Sequence, residues 1–92
     1  MKTTIDTDAI IAQVQAELNQ TLRKHGTFRS YHEGLGVLLE EVHELSMEIY
    51  RKDLGRDPRK LKDEAIQVAA MGAKLALLAQ AEIEAPKRRR KP

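Results

Sequence analysis

"GVLLEEVHELSMEIY", residues 36–50, sets Glu40, Glu41, Glu44 and Glu48 close together on any helix it forms. Like charges three or four residues apart on a helix repel by roughly 0.2–0.5 kcal/mol per pair. Such a stretch is either a solvated face or one wall of a cation site. Its apolar residues Leu38, Val42, Leu45 and Ile49 recur at spacings of three and four and, with Leu35, form one helical stripe.

The rest of the chain reads as two more helices and no strand. The first runs from Thr7 to His25, with Ile11, Val14, Leu18 and Leu22 as its stripe, a cap among Asp6, Thr7 and Asp8, and Gly26 as its stop. The second begins after Ser30, because "SYHE" is a capping box in which Ser30 and Glu33 cover free amides reciprocally. It is predicted to end within residues 51–54, ahead of Gly55. The third starts at "DPRK", with Asp57 as cap and Pro58 in the first helical position, and ends before Pro86. Leu61, Ala65, Val68, Gly72, Leu75 and Ala79 make its stripe, and Ala69, Ala70, Gly72, Ala73 and Ala76 offer a surface that a neighbouring helix can approach closely. A connection of about six residues predicts that the second and third helices form an antiparallel hairpin. The fold class is all-α: a three-helix protomer that completes a helical bundle by oligomerisation.

Composition bounds the function. A chain of 92 residues is one domain, expected over residues 1–86, with a core too modest to be indifferent to self-association. There is no cysteine, which excludes disulfides and thiolate metal sites. The sequence reads as having no apolar run near the length of a membrane span, and its first ten residues lack the apolar core of a signal peptide, so a soluble, cytoplasmic protein is expected. The net charge of +2 conceals an asymmetry. Lys87, Arg88, Arg89, Arg90 and Lys91 carry five positive charges, so residues 1–86 stand at −3. The segment 87–92 is expected to be a disordered basic tail, solubilising in the first instance and able to touch nucleic acid only by charge.

A helix advances about 100° per residue, so with Leu38 at zero the second stripe centres near about 20°, Glu41 falls at about 300°, Glu44 at about 240° and Glu40 at about 200°. On the third helix Glu64 falls inside the apolar stripe and Gln67 on its edge, whereas Asp63 points further away. An acid among apolar neighbours needs a partner. Folding the hairpin about residue 54 puts positions whose numbers sum to about 108 at equal height, so Glu44 faces Glu64 and Glu41 faces Gln67. Three carboxylates and an amide in one layer, with no sulfur, suit Mg²⁺ or Mn²⁺.

Glu-Glu-x-x-Glu in "EEVHE" (Glu40, Glu41, Glu44), followed about twenty residues later by "EAIQ" (Glu64 to Gln67), resembles the MazG-type all-α nucleoside triphosphate pyrophosphohydrolases, a superfamily that includes dimeric dUTPases and phosphoribosyl-ATP pyrophosphatases. The resemblance covers residues 31–78. It implies a homodimer or homotetramer in which Glu41, Glu44 and Glu64 ligate Mg²⁺, with Glu40 as a further catalytic candidate, and in which a nucleotide is cleaved to the monophosphate and pyrophosphate. Where the family motif ends in Asp, this chain has Gln67, which can ligate but brings no charge. Lys60 and Lys74 are the phosphate-contacting candidates on the third helix, with Arg51, Lys52, Arg56 and Arg59 in the connector, and Glu40 or Glu48 could position the attacking water. His43 is expected to face solvent and His32 to lie on the surface or at the cap. Phe28 and Tyr31 are expected to staple the second helix to the first rather than stack on a base. Two other readings stay open: a relative that binds metal and nucleotide with weak turnover, and a helical oligomerisation module whose tail engages nucleic acid.

Overall fold

The computed structural model describes residues 5–51, 55 and 57–86. Among these residues there are three helices and no strand: α1 (Thr7–His25), α2 (Tyr31–Ile49) and α3 (Pro58–Glu84). Lys52, Arg56 and the basic segment 87–92 lie outside the described residues, and with them the expectations placed on those positions.

Each helix end has a local cause. The Asp6 carboxylate accepts from the Ala9 N–H (3.0 Å), which caps α1. Gly26 ends it with φ 69°, a left-handed conformation that a glycine adopts without strain, and its N–H reaches the Leu22 carbonyl at 2.9 Å. Ser30 Oγ accepts from the Glu33 N–H (3.0 Å), while the Glu33 carboxylate reaches back one residue further than a standard capping box, to the Arg29 N–H at 2.6 Å. α2 stops at Ile49, short of the expected 51–54. The Arg51 N–H bonds to Glu48 O (3.4 Å) and the Tyr50 N–H to Ser46 O (3.0 Å), so the last turn tightens and satisfies its carbonyls early. Asp57 caps α3 through the Arg59 N–H (3.0 Å), with Pro58 at its start, and Ala85 before Pro86 is extended at φ −65°, ψ 142°.

α3 is the axis of the fold. α1 and α2 both pack on it and, among the described residues, not on each other. The core gathers where the α1–α2 connection crosses α3: Phe28, Ala70 and Met71, with Leu18, Val37, Leu38, Leu75 and Leu78 around them. Serving two neighbours widens the buried arc of α3 beyond a single stripe. Ile66, Ala70, Met71 and Lys74 are its buried residues, whereas Ala65 of the predicted stripe is exposed. The burial on α2 runs through Gly34, Val37, Leu38, Glu41, Leu45 and Glu48, roughly a quarter turn from the predicted stripe. Leu35, Val42 and Ile49 are left exposed, together with Leu39. On α1, Ile11 is exposed, and Glu17 and Thr21 are half-buried beside Val14, Leu18 and Leu22.

By length and composition alone, α3 meets the requirement for a membrane-crossing helix, with a mean hydropathy of 1.2 over its most apolar window. The sequence reading credited no segment with this. In the fold, α3 is the helix on which the other two pack, with 22% of that window buried, and it carries a buried lysine at its middle.

The antiparallel register is visible at two places. Gly34 lies under Leu75, and the Tyr31 hydroxyl donates to Glu82. Tyr31 therefore ties α2 to α3, not to α1 as expected, while Phe28 does pack with Leu18 of α1. A β-carbon at Gly34 would come within 2.8 Å of both Leu75 Cγ and Phe28 Cδ2, whereas one at Gly36 would meet nothing within 4 Å. Gly34→Ala is expected to cost about 1–3 kcal/mol through overpacking, and Gly36→Ala to stabilise by about 0.5–1 kcal/mol through helix propensity. Thermal denaturation checks both; a Gly34→Ala midpoint equal to wild type would contradict the close approach.

Candidate metal centre

The antiparallel register brings Glu41 and Glu44 of α2 against Glu64 of α3. One carboxylate oxygen from each can lie within 4.8 Å of the others. Glu41 and Glu44 are successive positions on one helix edge, three residues apart, and Glu64 meets them from the first turns of α3. Glu41 and Glu64 are half-buried and Glu44 is exposed, so the cluster opens to solvent on one side.

The cluster is electrostatically costly as it stands. The Glu41 carboxyl is raised above the ordinary glutamate value of 4.5, first by burial, then by the charges of Glu44, Glu64, Glu40 and Glu17. Two of those neighbours lie outside the triad. Glu40 is exposed, acting on Glu41 by charge. Glu17 comes from α1 and was missed in the sequence, although it stands three residues after Val14 and four before Thr21 on the face that packs on α3. The missed signal was positional: a polar residue inside a helical stripe counts as part of that face.

Gln67 is half-buried and lines a cavity of about 250 Å³ together with Glu41, Glu17, Gln20 and Lys24. It therefore stands beside Glu41, the residue that its number pairs it with. Asp63 is exposed and borders an adjoining cavity against α1, which shares Glu17, Gln20 and Gln67 with the first and does not reach Glu41. The other sequence candidates are not gathered at this point. Glu48 is buried and paired with Arg51 (3.9 Å) a turn beyond Glu44, so it is not the spare carboxylate that positions a water. Lys60 is exposed in the first turn of α3. Lys74 does not flank the triad along an exposed helix edge beside Lys60. It is buried, its Nζ donating to Thr21 Oγ1 (3.2 Å) and lying 4.4 Å from the centre of the Phe28 ring. His43 is exposed, as expected, and exposed His32 lines an apolar groove between α2 and α3.

No protein-family model matches the chain, and no curated protein or solved structure matches it.

The donor set can be weighed against a cation directly. All three donors are carboxylate oxygens, which suit a hard divalent ion. Two oxygens on one ion stand at most twice the metal–oxygen distance apart, about 4.2 Å for Mg²⁺. Three oxygens on one octahedral ion include neighbouring pairs only about 3 Å apart, so an arrangement within 4.8 Å asks the side chains to draw in by about 1–2 Å, within the freedom of three flexible glutamates.

A carboxyl that holds its proton more tightly in the folded chain than in the unfolded one makes the folded state bind more protons. The stability it contributes is full below the unfolded value and is lost as the pH rises through the folded one. In chelator, the urea midpoint of the wild type is expected to fall as the pH rises from 4.5 towards neutrality, and Glu41→Gln is expected to flatten this fall. A wild-type midpoint that rises over this range would contradict the repulsion among these carboxylates.

Proposed function

We propose that the protein is a Mg²⁺-dependent nucleoside triphosphate pyrophosphohydrolase of the MazG-like kind, cleaving a nucleotide to its monophosphate and pyrophosphate. The observation that carries this reading is the convergence of Glu41, Glu44 and Glu64 from two antiparallel helices, with oxygens within 4.8 Å. Carboxylates in that arrangement repel unless a cation joins them, and a triphosphate is the substrate that brings its own demand for one.

Glu41, Glu44 and Glu64 would hold Mg²⁺, or Mn²⁺ in its place, with the Gln67 amide oxygen beside them. Bound there, the cation would neutralise charge on the phosphate oxygens and make a water more acidic. Glu40 lies outside the triad yet close enough to act on Glu41, which leaves it free to orient the attacking water and accept its proton. The water oxygen bonds to the α-phosphorus, the bridge to the β-phosphate breaks, and pyrophosphate leaves. Lys74, buried against Thr21 and Phe28, remains the candidate cation for the phosphates in this reading, and Lys60, exposed at the start of α3, contributes at most long-range attraction.

A second copy of the chain completes the bundle in this reading, as a homodimer or homotetramer. Supporting it, Leu39, Val42 and Ile49 of α2 are exposed, and exposed Leu35 lines an apolar groove of about 560 Å³ floored by Gly72, Ala76 and Ala79. Small residues at a groove floor admit a helix closely, and an apolar surface of this kind is normally covered. Gln67 favours the second reading, a relative that binds metal and nucleotide with weak turnover, because it puts a neutral group beside Glu41.

With Mg²⁺, the purified chain is expected to release pyrophosphate from at least one nucleoside triphosphate and to sediment at two or four times 10.4 kDa. Glu44→Ala, at an exposed position, should lower that release at least 100-fold while leaving the fold intact. Gln67→Asp separates the two readings: a gain in turnover marks a weakened site, and a loss marks Gln67 as the working residue. No release from any triphosphate by the folded protein with metal would overturn the hydrolase reading.

A further inference from the structure

Two cavities open along α1 where it lies on α3. The first, of about 250 Å³, reaches Glu41 and has Lys24 and His25 in its lining. The second, of about 420 Å³, adjoins it at Glu17, Gln20 and Gln67 and stops short of Glu41. One edge of α1, with Ala16, Glu17 and Gln20, faces one edge of α3, with Asp63, Ile66 and Gln67, across this second cavity. Asp63 and Gln67 flank Glu64 in the chain, so its α3 wall is the stretch of helix that also supplies a carboxylate to the triad. Its volume lies within the roughly 300–1,000 Å³ of small-molecule sites.

The chemistry of this lining is selective. Among the described residues no lysine, arginine or histidine borders the second cavity. Carboxylates and amides without a cation repel a phosphate and suit a neutral ligand that presents N–H donors. Among the described residues the side chains of Glu17, Gln20, Asp63 and Gln67 form no hydrogen bond or ion pair with the protein, so their polar atoms are free for a ligand. Ile66 and Ala16 add apolar surface against which a flat ring can lie. Glu17 is half-buried and Asp63 exposed, so Glu17 is the less screened acceptor. An ionised carboxylate accepts hydrogen bonds and donates none. Cytosine and adenine each present an exocyclic amine to such a group, whereas uracil and hypoxanthine carry a carbonyl oxygen in its place. Oxygen facing oxygen leaves both unpaired, which is how a polar site rejects a close analogue.

We propose that the cavity between Glu17 and Asp63 is the base pocket, and that Glu17 selects a nucleobase with an exocyclic amine over the same base with a carbonyl there. This rests on the hydrolase reading above and names the substrate class that it leaves open: an amino-bearing nucleotide. The base lies between α1 and α3, Gln20 and Gln67 meet the rest of its edge with donors or acceptors as the ring requires, and the shared wall of the two cavities leads from the base towards Glu41.

Calorimetric titration of the full chain in Mg²⁺ with two pairs of nucleoside monophosphates, CMP against UMP and AMP against IMP, tests this. In at least one pair the wild type is expected to bind the amine-bearing member at least 10-fold more tightly. Glu17→Gln, whose amide can donate to a carbonyl, should bring that ratio below about 3-fold, chiefly by tightening the weaker member. Ala16→Trp, at an exposed position on the cavity wall, should weaken binding of the preferred member at least 10-fold while leaving Mn²⁺ affinity unchanged. Circular dichroism shows each variant folded; should Glu17→Gln fail to fold, the wild-type ratio and Ala16→Trp carry the test. Equal binding within both wild-type pairs, no binding of any of the four, or a preference that survives in folded Glu17→Gln overturns the selection by Glu17. Wild-type affinity in folded Ala16→Trp overturns the location. Failure of the hydrolase reading would look different: no pyrophosphate released from any triphosphate, with Glu17-dependent discrimination between the monophosphates intact.

Discussion

The fold depends on how closely α2 can lie on α3. At Gly34 there is no room for a β-carbon, since Leu75 and Phe28 fill the space where one would stand. This contact does two things at once. It sets the antiparallel register, so that Glu44 comes level with Glu64. It also turns α2 onto the face that carries Glu41 and Glu48, and away from the one that carries Leu35, Leu39, Val42 and Ile49. The carboxylates are thus drawn towards the interior by the geometry of a glycine two turns away, and the apolar residues are left outside. The monomer trades some of its hydrophobic burial for a polar layer between helices, at a cost that a divalent ion and a second copy of the chain would each offset.

Charge is arranged lengthwise along α3. Its N-terminal half carries Glu64 and meets Glu41 and Glu44 of α2, with Glu17 arriving from α1, and its middle holds Lys74 against Thr21 and Phe28. Neither end is neutralised by the other through a direct ion pair among the described residues.

Much of the fold was legible because its signals are local. Asp6, Ser30 and Asp57 cap the helices that their neighbours predict, and Gly26 stops α1 where its φ of 69° requires. The triad was legible because helix geometry and a short connection suffice to pair Glu44 with Glu64. The buried faces were less so. A helix with two neighbours buries a wide arc, so Ala70 and Lys74 of α3 lie deeper than the stripe of Val68 and Leu75 suggested. Lys74 read as a phosphate contact on a helix edge, yet its burial is a tertiary fact, set by Phe28 in the α1–α2 connection. Glu17 and Thr21 went unnoticed because counting apolar residues passes over polar ones on the same face. Tyr31 followed the α2–α3 register to Glu82, which only the packed hairpin reveals.

The measurement that bears most directly on the central claim is a Mn²⁺ titration of the apo protein followed by electron paramagnetic resonance, comparing wild type with Glu44→Ala and Glu64→Gln. The carboxylate cluster predicts one bound Mn²⁺ per chain, displaced by excess Mg²⁺ and weakened at least 10-fold in each variant. A wild-type protein that leaves Mn²⁺ free in solution, or variants that bind it as tightly as wild type, would contradict a cation site at Glu41, Glu44 and Glu64.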